Sequence, residues 1–225
     1  MANKASIDIG TNSTRLLITA IDSERNFHPI VMQERMTCLG QGVHSTKTLA
    51  HSAMERVFAA LNEYVEICNN NNVSDIQIIA TSATRDSSNK NIFVDEIFAR
   101  TRIAPRILAA DEEALYSFLG AISDLDLKDK YLVCDIGGGS AEFIVGEKDR
   151  IVSRKSLDIG SLRLTENFIH QNPPSDNELK ALELFVYENL KNQFEKNQYF
   201  AQAVFVGGTA TTLAMMDGRL GSGEV

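Results

Sequence analysis

Apolar and polar positions alternate first with the period of a strand. Ala5 to Gly10 and Arg15 to Ile21 read as two strands joined by the polar turn Thr11, Asn12, Ser13, which together make a hairpin. A third strand spans Ile30 to about Leu39. The period then changes to three and four: Ala50, Met54, Val57, Phe58, Leu61, Val65 and Cys68 fall on one stripe, which predicts an amphipathic helix over Leu49 to Cys68 ending in four asparagines. A buried strand, Asp75 to Ala80, runs into Thr81 to Arg85. Helices over about Asn91 to Arg100 and Glu112 to Ile122, with a short strand Arg106 to Ala109 between them, complete this half.

After the polar stretch Ser123 to Lys130 the order begins again. Strands Tyr131 to Ile136, Glu142 to Gly146 and Ile151 to Leu157 surround a Gly-rich turn. A long helix follows, opened by Pro173-Pro174 and the capping-box spacing Ser175-x-x-Glu178, with Leu179, Leu182, Val186, Leu190 and Phe194 on one face. A strand over Ala203 to Val206 then enters Gly207-Gly-Thr-Ala-Thr-Thr212. Asp8, Gly10 and Ser13 map onto Asp135, Gly137 and Ser140 at a constant offset of 127. The repeated order predicts an internal duplication: a first domain over 1–122, a linker or hinge over 123–130 that lets the two close on a ligand, and a second domain over 131–225, facing one another across a cleft.

At 225 residues and 44% apolar content, the chain can build two cores, as expected of a folded, soluble protein. No apolar run approaches bilayer length and the N-terminus carries no signal-peptide pattern, so the expected location is the cytoplasm. Three scattered cysteines give neither a disulfide framework nor a zinc site, and four histidines show no ligand spacing. A net charge of −8 argues against nucleic-acid and membrane partners but leaves room for a locally bound anion.

The local means are the turns. An Asp closing an apolar strand sits where a carboxylate can be held at the mouth of a cleft. The small residues after it leave backbone N–H groups open to phosphate oxygens. That describes Asp8 with Thr11, Asn12 and Ser13, and Asp135 with Gly137, Gly138, Gly139 and Ser140; Gly207, Gly208 and Thr209 form a third small-residue turn. For either hairpin alone an ordinary turn is the plain alternative, and the duplication is what favours phosphate. No Walker or dinucleotide-binding Gly motif occurs, and Gly138-Gly-Ser-Ala-Glu142 has Glu where a nucleophile elbow needs Gly.

These residues also carry a resemblance. Asp8 to Ile18, Ala80 to Arg85, Glu112-Glu113-Ala114, Asp135 to Glu142 and Gly207-Gly208-Thr209, in that order, closely resemble the exopolyphosphatase and guanosine pentaphosphate phosphohydrolase family. That family belongs to the sugar kinase, heat-shock protein 70 and actin superfamily. The fold implied is α/β, with two duplicated actin-like (ribonuclease H-like) domains closing over phosphates. The activity implied is metal-assisted release of orthophosphate from polyphosphate or guanosine pentaphosphate, with Mg²⁺ or another divalent cation.

By the same resemblance Glu113 is the general base. Without it, the three acids Asp111, Glu112 and Glu113 read as complements to a helix dipole, and Asp111 and Glu112 keep that reading. Asp135 and Glu142 would hold metal and align water, with Asp8 a further ligand candidate. Arg85 suits a bidentate phosphate contact, against a surface salt bridge; for Arg15 a phosphate contact and an outward-facing strand position weigh equally. Ala141 stands where the family commonly has Thr.

The chain resembles an N-terminal part of its longer relatives, with the closing helices of the second domain missing and apolar surface therefore exposed. A superfamily kinase and a non-catalytic nucleotide or alarmone sensor are the competing readings, and a homodimer is compatible with all three.

Overall fold

The computed structural model describes residues 2–24, 26–123, 125–127, 129–148, 150–191, 193 and 199–218. The chain forms two compact units, Met1–Ala109 and Ala110–Val225. The first is built on β1 (Ala2–Ile9), β2 (Ser13–Ile21), β3 (Phe27–Met36), β4 (Val73–Ala80) and β5 (Arg106–Ile107), in the sheet order β3-β2-β1-β4-β5. β1, β2 and β3 are antiparallel, and β4 lies parallel to β1. One sheet face carries Ala5, Ile7, Ile9, Leu16 and Ile18, all buried.

Between β3 and β4 run the short α1 (Val43–Thr46) and the long α2 (His51–Asn70), and after β4 come α3 (Ser82–Arg85) and α4 (Lys90–Thr101). α2 belongs to the same core through Met54, Val57, Phe58 and Leu61. Each large apolar side chain so buried contributes roughly 1.5–3 kcal/mol. Tyr64 takes the place expected for Val65: it is fully buried because its hydroxyl has an acceptor, the Thr14 carbonyl, at 2.9 Å.

The second unit holds α5 (Ala110–Ile122), β6 (Lys130–Ile136), β7 (Ala141–Glu147), β8 (Arg150–Leu157), α6 (Ser161–Phe168), α7 (Asp176–Leu190), β9 (Gln202–Val206) and α8 (Gly208–Met216). Its sheet, β8-β7-β6-β9, repeats the first: antiparallel β6, β7 and β8, with β9 parallel to β6. The register repeats too. Asp8 lies opposite Arg15 and beside Ile79, as Asp135 lies opposite Glu142 and beside Val206. Both turns close with the same bond, Gly10 N–H to Ser13 O at 2.9 Å and Gly137 N–H to Ser140 O at 3.0 Å.

The division between the units falls before α5, not at the expected 123–130, because the sheets differ on one face. The row Lys4, Ser6, Asp8 of β1 becomes Tyr131, Val133, Asp135 in β6, and this apolar row gives α5 a seat. Ala114 and Phe118 pack there with Tyr131, Val133 and Ile144, and the Phe118 and Tyr131 rings stack with centroids 6.1 Å apart. The Tyr131 ring lies over Gly146, where a Cβ would come within 2.5 Å of it.

The structure also shows α1, α3, α6 and α8, which the periodicity did not predict. The Thr-rich segment after Gly207 is helical, so at least one helix follows β9. α7 begins with the expected capping box: Ser175 Oγ accepts from Glu178 N–H, and Ser175 N–H donates to the Glu178 carboxylate at 2.7 Å. Ser175→Ala is expected to cost about 1 kcal/mol in urea unfolding. Leu182, Val186 and Leu190 of its apolar face are half-buried; Leu179 is exposed, and Phe194 lies outside the described residues. Further apolar side chains of this unit, among them Leu184, Phe205 and Leu213, are also exposed.

Candidate active site

α5 carries both kinds of side chain that the second unit needs. Its sheet-facing stripe is polar at the start, Glu113 and Ser117, and apolar beside it, Ala114 and Phe118, as spacings of one, four and five residues require of one helix face. The apolar positions seat the helix on Tyr131. The polar ones come to the other end of β6, where Ser117 Oγ donates to Asp135 Oδ2 at 2.6 Å. Asp111, exposed, is tied to Arg154 of β8 at 2.5 Å, so the helix start is pinned to the sheet.

Glu142 is the centre of this arrangement. It is 3% exposed, lies opposite Asp135 on β6 and opposite Ser156 on β8, and accepts from Ser156 Oγ at 2.8 Å. Burial pushes its carboxyl up from 4.5 to about 7. Hydrogen bonds from Ser156 and Ser140 oppose the rise, and the charges of Glu113 and Asp135 add to it. Three carboxyl groups therefore interact beside the Gly137–Ser140 turn. Among the described residues no three His, Cys, Asp or Glu side chains form a closed metal cage.

Gly207 completes this corner. Its φ of +90° is a conformation that side-chain-bearing residues rarely adopt, and a Cβ there would lie 2.9 Å from Asp135 Oδ1 and Ile136 O. Gly208 and Thr209 open α8 directly after it. Gly207→Ala is expected to lose roughly 1–3 kcal/mol and to displace the Asp135 carboxylate, measured by denaturant unfolding and by phosphate release.

The corresponding row of the first unit has a different charge pattern. Where the second has Asp135, Glu142 and Ser156, the first has Asp8, Arg15 and Glu34 across β1, β2 and β3. Arg15 is exposed, and its Nε donates to Glu34 at 2.9 Å, so the guanidinium is engaged by a neighbouring strand. Burial raises the Glu34 carboxyl, but hydrogen bonds from Ser13 and Arg15 outweigh it and hold the group below its ordinary value.

The other turn residues of this unit are also tied in. Thr11 Oγ1 shares a 2.8 Å hydrogen bond with Ser82 Oγ, and the Asn12 carbonyl accepts from Thr37 and Cys38 N–H at 3.0 and 2.8 Å. Arg85 ends α3 half-buried, and its Nη1 donates to the Leu108 carbonyl at 2.9 Å.

Ser117, Ser156 and the segment after β8 went unnoticed in the sequence. The first stands one turn after Glu113, a signal that was available. The second becomes visible only with the β7–β8 register.

A duplicated β-β-β-α-β unit with a small-residue turn after the first strand of each copy is an α/β arrangement of the actin-like fold. The chain belongs to the Ppx/GppA phosphatase family, whose sequence profile matches residues 17–218. It is 39% identical over 221 residues to the bifunctional 3-dehydroquinate synthase/phosphatase of Fusobacterium nucleatum, covering 93% of this chain and 33% of that protein. It is 34% identical over 227 residues to Exopolyphosphatase 2 of Mycobacterium tuberculosis, covering 94% of this chain and 70% of that one. The crystal structure of an exopolyphosphatase from Cytophaga hutchinsonii superposes with a TM-score of 0.85 at 30% identity, over 96% of this chain and 70% of that one. The chain thus spans a third of the Fusobacterium protein and about seven tenths of the other two.

Proposed function

We propose that the protein hydrolyses the terminal phosphoanhydride bond of inorganic polyphosphate, releasing orthophosphate, and that guanosine pentaphosphate, which ends in the same bond, is a second substrate. The observation that carries this reading is the buried Glu142 in electrostatic contact with Glu113 and Asp135 beside the Gly137–Ser140 turn. Family membership supports it, as do the exopolyphosphatase names of two relatives.

Phosphoryl transfer needs charge neutralisation, in-line positioning and a base for the attacking water. The Gly138, Gly139 and Ser140 N–H groups bind the terminal phosphate oxygens, assisted by Gly207, Gly208 and Thr209 at the start of α8. Glu113 accepts the proton as the water oxygen bonds to phosphorus. The bridging P–O bond then breaks, leaving a polyphosphate one unit shorter. Glu142 holds the water in line from its fixed place between Ser140 and Ser156.

Asp135 and Glu142 fit a divalent cation. They are cross-strand neighbours, and their mutual repulsion is relieved by positive charge; two carboxylates, waters and phosphate oxygens make up a usual Mg²⁺ environment. When bound, the cation would neutralise charge on the phosphate oxygens. In the first unit Asp8 is the counterpart ligand candidate, and Thr11, Asn12, Ser13 and Arg85 are the candidate contacts to the rest of the anion. For Arg15, bound to Glu34, a phosphate contact would require that ion pair to open.

The test is orthophosphate release, with Mg²⁺, from polyphosphate, guanosine pentaphosphate and ATP. Turnover of polyphosphate is expected. Tight binding of all three without turnover would replace the hydrolase with a sensor, and phosphate transfer to an acceptor other than water would replace it with a kinase.

A further inference from the structure

We infer that Arg163 holds the Gly137–Gly139 turn in its anion-binding conformation, making it a positioning residue for the phosphate site; the inference rests on the phosphate-binding role proposed above for that turn. After β8 the chain returns through Gly160 into α6 and lies directly against the turn. Gly160 approaches so closely that a Cβ on it would sit 2.4 and 2.5 Å from the carbonyl carbons of Gly139 and Gly138. From this position the segment occupies three successive carbonyls. Ser161 N–H donates to Gly137 O at 2.9 Å, Arg163 N–H to Gly138 O at 3.0 Å, and Arg163 Nε to Gly139 O at 2.7 Å.

A peptide plane is rigid, and its N–H points opposite to its C=O. Fixing the carbonyls of Gly137, Gly138 and Gly139 from one side therefore directs the N–H groups of Gly138, Gly139 and Ser140 to the other. Among the described residues none of these three N–H groups donates a hydrogen bond. Three such donors in succession form an anion-binding concavity.

The choice of arginine follows from geometry. The side chain is 13% exposed and bonds in two directions at once, Nε to the turn and Nη2 to Asp158 at 3.3 Å, which a single ammonium cannot reproduce. The first unit places its cation one step further back. Arg56 of α2 donates to the Thr37 and Cys38 carbonyls, and the N–H groups of those residues hold the Asn12 carbonyl.

The experiment measures binding of tripolyphosphate to the full chain by calorimetry without divalent cation, so that turnover does not enter. In parallel, the amide signals of ¹⁵N-glycine-labelled protein are followed. In the parent, Gly138 and Gly139 signals are expected to move on titration. Arg163→Ala is expected to bind roughly 10- to 100-fold more weakly, the usual loss when a group that orients a ligand is removed, with those signals responding little. Arg163→Lys keeps the charge and should fall between the two.

Binding by a folded Arg163→Ala within about threefold of the parent would overturn the inference, as would unresponsive Gly138 and Gly139 amides in the parent. If the alanine variant does not fold, Arg163→Lys decides: binding equal to the parent refutes the inference, and weaker binding with a native near-ultraviolet spectrum upholds it. A parent that binds tripolyphosphate but never releases phosphate would defeat the hydrolase reading and leave this one intact.

Discussion

Glu113→Gln is expected to release orthophosphate at least about 100-fold more slowly than the parent, while binding polyphosphate with little change. Glutamine preserves the length and one acceptor oxygen but takes no proton at neutral pH, so the loss should appear in kcat and leave KM nearly constant. The fold should survive, because Ala114 and Phe118 seat α5 and Ser117 bonds Asp135 independently of Glu113. Glu112→Gln, on the same first turn, provides the comparison: a helix-dipole contribution is worth less than about 1 kcal/mol and should leave turnover within severalfold of the parent. Equal loss in both variants would mean that the acidic start of α5 acts as a whole. Unchanged turnover in Glu113→Gln would pass the role of base to Glu142, the carboxyl it faces electrostatically.

What could be read in the sequence was what repeats. Strand periodicity and the offset of 127 located both hairpins, and the offset carries the register from Asp8–Arg15 to Asp135–Glu142 without loss. The long helices were legible because their apolar stripes are several turns long. Short helices such as α3, α6 and α8 lack that length, and α8, with Thr209, Thr211 and Thr212 in its first turns, reads locally as a turn. The placement of α5 was missed for another reason. Its apolar stripe says that it packs on something, but only the change of Lys4 and Ser6 to Tyr131 and Val133 between the copies says on which sheet. At the site, the repeated Asp and the turn glycines were visible as types. The partners that fix them, Ser117, Ser156 and Arg163, lie 18 to 24 residues from the turn positions or 14 from Glu142, and no local pattern announces them.

Glu142→Gln should abolish most phosphate release and at the same time stabilise the protein at alkaline pH. Burial raises the Glu142 carboxyl in the folded protein from 4.5 to about 7, so the folded state binds a proton more tightly than the unfolded state. The stability associated with that proton is fully present below about pH 4.5 and is lost as pH rises through about 7, a loss on the order of 3 kcal/mol for a shift of this size. Glutamine carries no charge to desolvate and can still accept from Ser156, so its stability should not fall over that interval. Urea unfolding at pH 5 and pH 8 should therefore show the two proteins close together at the lower pH and the variant more stable by roughly 2–3 kcal/mol at the higher. Mg²⁺ should narrow the gap at pH 8 by stabilising the parent alone, since a bound cation favours the ionised carboxylate. A variant less stable than the parent at pH 8 would mean that the ionised Glu142 is compensated within the protein itself. Its burial would then be structural, whereas a stabilised and inactive variant identifies a carboxylate kept in an unfavourable place for the sake of the reaction.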